Sequence, residues 1–475
     1  MQFLSYAGFS RVRFAGEADF EMTQFSDDAV FINASFAGSA QFAKARFSKE
    51  ALFDKSQFGE AAEFSGAEFL GYVNFREVQV AESAEFSEAR FAALSFFGPL
   101  ACARTVDLSA AVFEAPVTME IAAREVRCVR TRWESTATVR LRYATLDLSG
   151  AVLSFPISVT AHPSPFTAVN DDRLDESLIS GPPAVNVASV QGLDAAHLVL
   201  TDTDLSDCLF AGAFHLDQLR LEGRCTFAST PVCWHRRGIL PVRWTRRRTL
   251  AEEHHWRAHC ADQPIPSPEQ PHAAHLWRPG RYHPDPDLTP DPEDVAAVYR
   301  QLRKAFEDGK NEPGAADFYY GEMEMRRHDR RDDGTGTPPG ERGLLHAYWL
   351  LSGYGLRASR ALAWLLAAMS VTVLLLMLWG LPAEGPKQKA TGTVPAGGGK
   401  VSFVIDKEDP RNPTGNRFTV KRFDKALSVT LNSVVFRSSG QDLTTAGTYI
   451  EMTSRLLEPA LLALAVLAVR GRVKR

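Results

Sequence analysis

Phenylalanine sets a rhythm through the first hundred residues. It stands at Phe3, Phe9, Phe14, Phe20, Phe25, Phe31, Phe36, Phe42, Phe47, Phe53, Phe58, Phe64, Phe69 and Phe75, then, after Val80, at Phe86, Phe91 and Phe97. The intervals alternate six and five, so the repeat is eleven residues. From Phe9 on, a small or β-branched residue sits two places before each, beginning Ala7, Val12, Ala18, Thr23 and ending at Ser95. A helix period would scatter these rings around a cylinder, and strict alternation does not produce a five–six rhythm. A chain that turns a corner every five or six residues does. Each side then points one large and one small side chain inward, and coils stacked about 4.8 Å apart pile like on like. Each buried phenylalanine contributes about 1.5–3 kcal/mol, but no coil can bury its own face alone.

Units such as AEFSG, AEFSE and ARFSK resemble the pentapeptide-repeat family, whose unit carries Leu or Phe at its centre. The resemblance implies a right-handed quadrilateral β-helix, here over residues 1–228. The extra residue in alternate units implies about 22 residues per coil, with a wider turn or bulge at alternate corners. The rhythm continues at Leu108 and Phe113 and loosens over 117–155, where Val139, Leu141, Leu146, Leu148 and Leu153 predict irregular coils. Pro and Gly in 156–183 predict an inserted loop. Plain five-residue spacing returns at Ala195, Leu200, Leu205 and Phe210, and fades by Leu221 and Phe227. Some soluble members of the family resemble duplex DNA and bind DNA gyrase, and residues 1–100 are mildly acidic. A charged exterior is also what any solvated solenoid shows, so a protein-interaction surface is the expectation.

Residues 229–260 are rich in His and Arg. Cys225, Cys233, His235, His254, His255, His259 and Cys260 fit no zinc-finger spacing and include no C-x-x-C pair, so no metal or cofactor is assigned. A helix over 245–260, with Trp256 inward, is expected to cap the last coil, whose backbone edge is otherwise unpaired. The Arg246–Arg248 run lies on a solvated face or against anionic lipid. Residues 261–292 are Pro-rich and predict an extended linker. Asp291, Pro292, Glu293 and Asp294 then open a helical hairpin over 293–331. Val295, Val298, Leu302 and Phe306 line its first helix; Phe318, Tyr319 and Met323 pack back from the second. Asp317, Glu322 and Glu324 have no nucleophile, metal triad or phosphate loop beside them. They are expected to hold the hairpin against the Arg-rich segment that follows, and no catalytic residue is assigned. Walker A, G-x-S-x-G and H-E-x-x-H motifs are absent, and the chain does not read as an enzyme.

Residues 361–381 are uncharged and apolar apart from Ser370 and Thr372. As a helix they reach about 31 Å, the thickness of a hydrocarbon core. They lie too far along the chain for a signal peptide, and Met1 leads straight into a repeat. A second crossing is expected over 449–469. Arg326, Arg327, Arg330, Arg331, Arg342, Arg357 and Arg360 precede the first, and Arg470, Arg472, Lys474 and Arg475 follow the second. Both flanks should be cytoplasmic, giving a two-pass plasma-membrane protein with both termini inside. Cys102, Cys128, Cys208, Cys225, Cys233 and Cys260 all precede the first crossing, so they are expected as reduced thiols. The chain's 475 residues allow two or three domains. Its net charge of −4 gives no reason to invoke nucleic acid.

Within the membrane domain, 344–475, an external loop is expected over 382–422 and a re-entrant pore helix over 425–436, too short to cross. Glu451, Arg455 and Glu458 lie in the second crossing, where charges face a protein interior or water. This order resembles the two-helix potassium-channel pore. Arg437, Ser438, Ser439, Gly440, Gln441 and Asp442 occupy the place of its filter, but only Gly440 and Asp442 match, and Arg437 puts a positive charge near a cation path. The resemblance therefore implies a degenerate, non-selective or non-conducting pore that assembles as a homo-oligomer. The hairpin followed by YWLLSGYGLRASRALAW resembles a module of actinobacterial membrane proteins that carry pentapeptide repeats. The expectation is a cytosolic interaction scaffold, its protein partner unnamed, on a channel-like domain. An ion channel gated by the solenoid is the alternative, and a DNA-mimicking gyrase binder the third reading.

Overall fold

The computed structural model describes residues 1–167, 173–231, 234–237, 240–244, 246–265, 275–280, 289–330, 336–382, 388–392, 404–407, 415–435 and 442–473. The chain divides into two compact units, Met1–Gly336 and Thr337–Arg475.

The first unit begins as a solenoid with four parallel sheets, which the chain visits in turn. Gln2 pairs with Gln24, Gln24 with Arg46 and Glu68 with Arg90, a coil of 22 residues. Each side carries its own ring stack. Phe3, Phe25, Phe47, Phe69, Phe91 and Phe113 lie 4.8–5.1 Å apart, and the stack ends on Trp133. Phe9, Phe31, Phe53 and Phe75 form a second, Phe14, Phe36 and Phe58 a third, and Phe20, Phe42, Phe64 and Phe86 a fourth. The five–six rhythm comes from two kinds of corner. Each five-residue interval holds a tight turn: Ala34 N–H donates to Phe31 O at 2.9 Å, and Asn33 between them has φ 55°. Six-residue intervals swing through a wider bend such as 37–39. Left-handed corners recur at Met22, Asn33, Lys44, Lys55 and Gly66.

Residues 117–155 are regular coils, not irregular ones. Val112 pairs with Arg132 and Arg132 with Val152, and Val117 pairs with Ala137 and Ala137 with Ile157, each 20 residues apart. The second sheet ends at Val73–Asn74, and single strands Phe96–Cys102, Val117–Ala122 and Ala137–Arg142 span what had been two sides. Along such a strand the inward residues alternate: Val117, Met119, Ile121, then Val139 and Leu141. A period of two replaced the phenylalanine rhythm, which is why it faded from the sequence. The first long strand bulges at Gly98, φ 102°, where a Cβ would collide with the Glu120 carbonyl.

The predicted loop also begins later than expected. Ile157–Ala161 is a strand of the solenoid, and Ile157 pairs onward with Leu198. The inserted residues fold back on the outer face, where Phe166, Leu174 and Ile179 cover Ala101 and Ala122. Arg142 clamps them, donating to Glu176 at 3.0 Å and to the His162 carbonyl at 2.9 Å.

Three helices close the far end: α1 (Ala251–Cys260), α2 (Pro292–Asp308) and α3 (Glu312–His328). α1 is shorter than expected because Arg248–Thr249 pairs as a strand with Ala228–Ser229. The hairpin α2–α3 is part of the cap, not a domain beyond a linker. Phe227 of the solenoid meets Phe306 and Phe318, and Tyr299 and Leu302 join the same core. Of the expected linker, Trp277 is buried against Trp244 and His254. In earlier coils the corner amide, Phe31 N–H for example, donates to the next coil. After the last coil the Glu252 carboxyl takes that place, accepting from Phe210 and Ala211 N–H, while the Gln301 side-chain oxygen, Oε1, accepts from Leu216 N–H. Helix side chains thus satisfy the edge that stacking leaves open.

The second unit comprises α4 (Pro339–Ser352), α5 (Ala358–Leu375, continued by a wide turn Leu376–Gly380), α6 (Val420–Val435) and α7 (Thr445–Val473). Two spans, Ala358–Gly380 and Thr445–Arg470, are long and apolar enough to cross a membrane. In the stretch expected as a loop, Gln388–Thr391 pairs antiparallel with Val404–Lys407. α6 occupies the place expected for a short helix and extends it towards its N-terminus.

Candidate functional site

Small residues let α5 and α7 approach. A Cβ on Gly447 would collide with the Gly380 backbone, and the Thr444 hydroxyl donates to Trp379 O at 2.6 Å. The last carbonyls of the α5 segment are taken by one side chain: Arg422 donates to Met377, Leu381 and Pro382 O at 2.9–3.0 Å. Leu376, Met377, Leu381, Ala426 and Val429 pack the space between.

Two of the three predicted intramembrane charges pair with each other and the third stands apart. Arg455 donates to Glu451 at 2.7 Å, one turn away on α7. Glu458 is fully buried and accepts from the Thr372 hydroxyl of α5 at 2.7 Å. Its other oxygen, Oε2, has no hydrogen-bond partner among the described residues. Glu458 and Thr372 belong to the wall of a 640 Å³ groove between α4, α5 and α7. Of the filter-like residues, Arg437, Ser438, Ser439, Gly440 and Gln441 lie outside the described residues. Asp442 is exposed, just before Leu443 packs against the α5–α6 core.

The cap of the first unit holds a second charged cluster, largely invisible in the sequence. Glu253 accepts both oxygens' worth of contact from Arg247 at 2.6 Å, from Arg257 at 2.7 Å and from the Tyr299 hydroxyl at 2.6 Å. Arg257 also reaches Glu324, which Arg327 binds at 2.6 Å. The Arg257 guanidinium lies 4.8 Å from the Trp244 and Trp277 rings and 5.6 Å from Trp256. Burial alone would raise the Glu253 carboxyl, but the Arg247 and Arg257 charges outweigh it and hold it at about 2. Glu252 has no such cation; burial pushes it to about 7 against the backbone amides that favour its charge. Burial drives His254 down to about 3, so it is neutral where it bonds Thr249 and lies against Trp277. Asp317 accepts from Arg248 N–H, Glu322 pairs with Arg300 and Arg303, and Glu324 with the cap arginines. These acids therefore hold the hairpin to itself and to the cap, and Glu324 also binds Arg327, one of the arginines that precede the first span in the sequence. Among the described residues no His, Cys, Asp and Glu group converges as a metal site.

The solenoid's exterior also carries ladders, less uniform than those of its interior. On the fourth side the outward ladder runs Asp19, Gln41, Glu63, Glu85, Asp107, Arg127 and Asp147. Burial, then the Asp107 and Glu63 charges, raise the Glu85 carboxyl. Several of these acids also serve the corner, as Asp107 does by accepting from Ser109 N–H at 2.8 Å. The first side carries Arg46, Arg90 and Arg132 instead, with Glu68 between the first two.

The profile of the pentapeptide-repeats family matches residues 9–57 as nine copies. Both corner types and all four ring stacks are present there and continue beyond it. No curated protein matches the chain, and neither does any solved structure.

Proposed function

We propose that this chain is a membrane-anchored interaction scaffold: a pentapeptide-repeat solenoid that presents ordered side-chain ladders to a protein partner, tethered through α5 and α7. The supporting observation is the division of labour across each coil. The interior is filled by stacked rings and leaves no room for a substrate, so the chemistry lies on the outward ladders. The acidic fourth side fits a partner with a basic surface, and the arginines of the first side argue against an all-round DNA mimic. In this reading the coils wind right-handed around a quadrilateral section, as the family resemblance implies. Both termini are cytoplasmic, α6 is re-entrant, and the membrane unit associates with further copies.

Proximity labelling from the full chain in its own membrane tests it. A labelled set that Glu63→Ser, Glu85→Ser and Asp107→Ser together abolish, and that Arg46→Ser with Arg132→Ser leaves unchanged, supports a partner on the fourth side. Labelling indifferent to both sets refutes that face. The order α5, α6, α7 keeps an ion pathway as the second reading. Flux through liposomes that changes with Arg437→Ala would favour it over a silent anchor.

A further inference from the structure

The groove between α4, α5 and α7 has a composition that the scaffold reading does not use. Leu350, Trp364, Val371, Leu375, Tyr449 and Leu457 give it apolar walls. Its 640 Å³ lies inside the range of about 300–1,000 Å³ typical of small-molecule sites, which combine such walls with a few placed polar groups. Here the polar groups include Glu458, Thr372, Thr453 and Ser454. The carboxyl is the unusual one. It is fully buried, one oxygen is held by Thr372, and Oε2 is without a partner among the described residues. A buried polar atom left unpaired is costly, and a carboxylate more so, unless a donor or a cation meets it. On the same helix, Arg455 donates through its Nη2 to Glu451.

We infer that this groove binds a lipophilic amine, its hydrocarbon body against α5 and α7 and its protonated nitrogen on Oε2 of Glu458. The position argues for a compact amphiphile rather than a bilayer phospholipid. Thr372 and Glu458 lie near the middle of the two apolar spans, so in a bilayer the carboxylate sits deep in the hydrocarbon, below the head groups. A neutral amine dissolves to that depth and takes up the proton of the Glu458 carboxyl there, so the ion pair forms in place and no bare charge crosses the hydrocarbon. The inference rests on α5 and α7 crossing a bilayer. It does not depend on the solenoid having a partner.

The test uses the full chain in phosphatidylcholine nanodiscs, with empty discs subtracted and tritiated nortriptyline as the probe. Co-elution of the chain with the discs reports the membrane reading separately from binding. Saturable binding is expected, weakened about tenfold or more by Glu458→Gln. Val371→Trp, which fills the groove and leaves the carboxyl in place, should abolish it; this variant keeps the test decisive if Glu458→Gln fails to assemble. Several results overturn the inference: no saturable binding to the inserted chain, binding indifferent to Glu458→Gln, or equal affinity for a nitrogen-free analogue of the probe. Disulfide cross-linking between copies through Val371→Cys would also overturn it, by showing a second chain over the groove.

Discussion

Around Phe53 the interior is hydrocarbon in every direction; around Glu253, some tens of residues beyond the last regular coil, it is charge and ring faces. Phe53 stacks on Phe31 and Phe75 and meets Phe42 and Phe64 edge-on. Glu253 is as deeply buried, yet it touches Arg247, Arg257 and Tyr299. The coils repeat because like meets like one turn later, so each needs only its neighbours. The cap must end that series, and it does so with groups that match one another and nothing else. Its directional bonds fix one seating of three helices, whereas the ring stacks would tolerate any coil of the same shape.

The sharpest break of this contrast is Glu253→Ala. Losing one partner of a buried ion pair costs about 3–5 kcal/mol; here Arg247 loses its carboxylate and Arg257 keeps only Glu324. Hydrogen exchange on the full chain should show 251–260 and 292–328 opening while residues 20–90 keep their protection. Phe53→Ala should cost about 3–5 kcal/mol, with lost protection confined to coils between 31 and 75 and the cap unaffected. If either change unfolds both regions together, they are one cooperative unit and the contrast fails.

A third experiment uses pH. The folded Glu252 carboxyl is raised to about 7 from 4.5. Its contribution to folding is therefore complete below about 4.5 and is lost as pH rises through about 7. The cap should loosen between pH 5 and 8 by an amount on the order of 3 kcal/mol, read as falling protection of the Phe210 and Ala211 amides once the intrinsic rise of exchange with pH is divided out. Glu252→Gln keeps an acceptor for those amides and should flatten that dependence. Glu253, held at about 2, is ionised throughout this window and contributes no slope. The smallest effect belongs to the corners. Lys44 has φ 56°; Lys44→Val should cost about 1–2 kcal/mol, while Lys44→Gly should cost nothing measurable. An equal loss from both would show that the side chain, not the backbone, matters there.

The five–six rhythm predicted both the coil of 22 residues and its two kinds of corner, because each rests on contacts between residues one repeat apart. The same reasoning failed at 117–155, where two sides had merged into one strand and Val117, Met119 and Ile121 carried a different period. It was silent on 275–280, within the stretch 261–292 read as a spacer. Proline there signals an extended chain, but it does not reveal that Trp277 folds back on Trp244. Glu451, Arg455 and Glu458 were visible as charges in an apolar segment. That Arg455 takes Glu451 and leaves Glu458 to Thr372 was not, since Thr372 lies on another helix.

The sequence alone thus determined what repeats and what is apolar over a long run: the ring ladders, the pitch of the early coils and the two spans α5 and α7. Those features depend on neighbours at a fixed offset, and a fixed offset is legible in one dimension. Which acid meets which arginine in the cap, which oxygen of Glu458 stays without a partner, and which helices close the solenoid were decided by tertiary structure. Such pairings join residues at no fixed separation, and their energies depend on burial that exists only once the chain has closed.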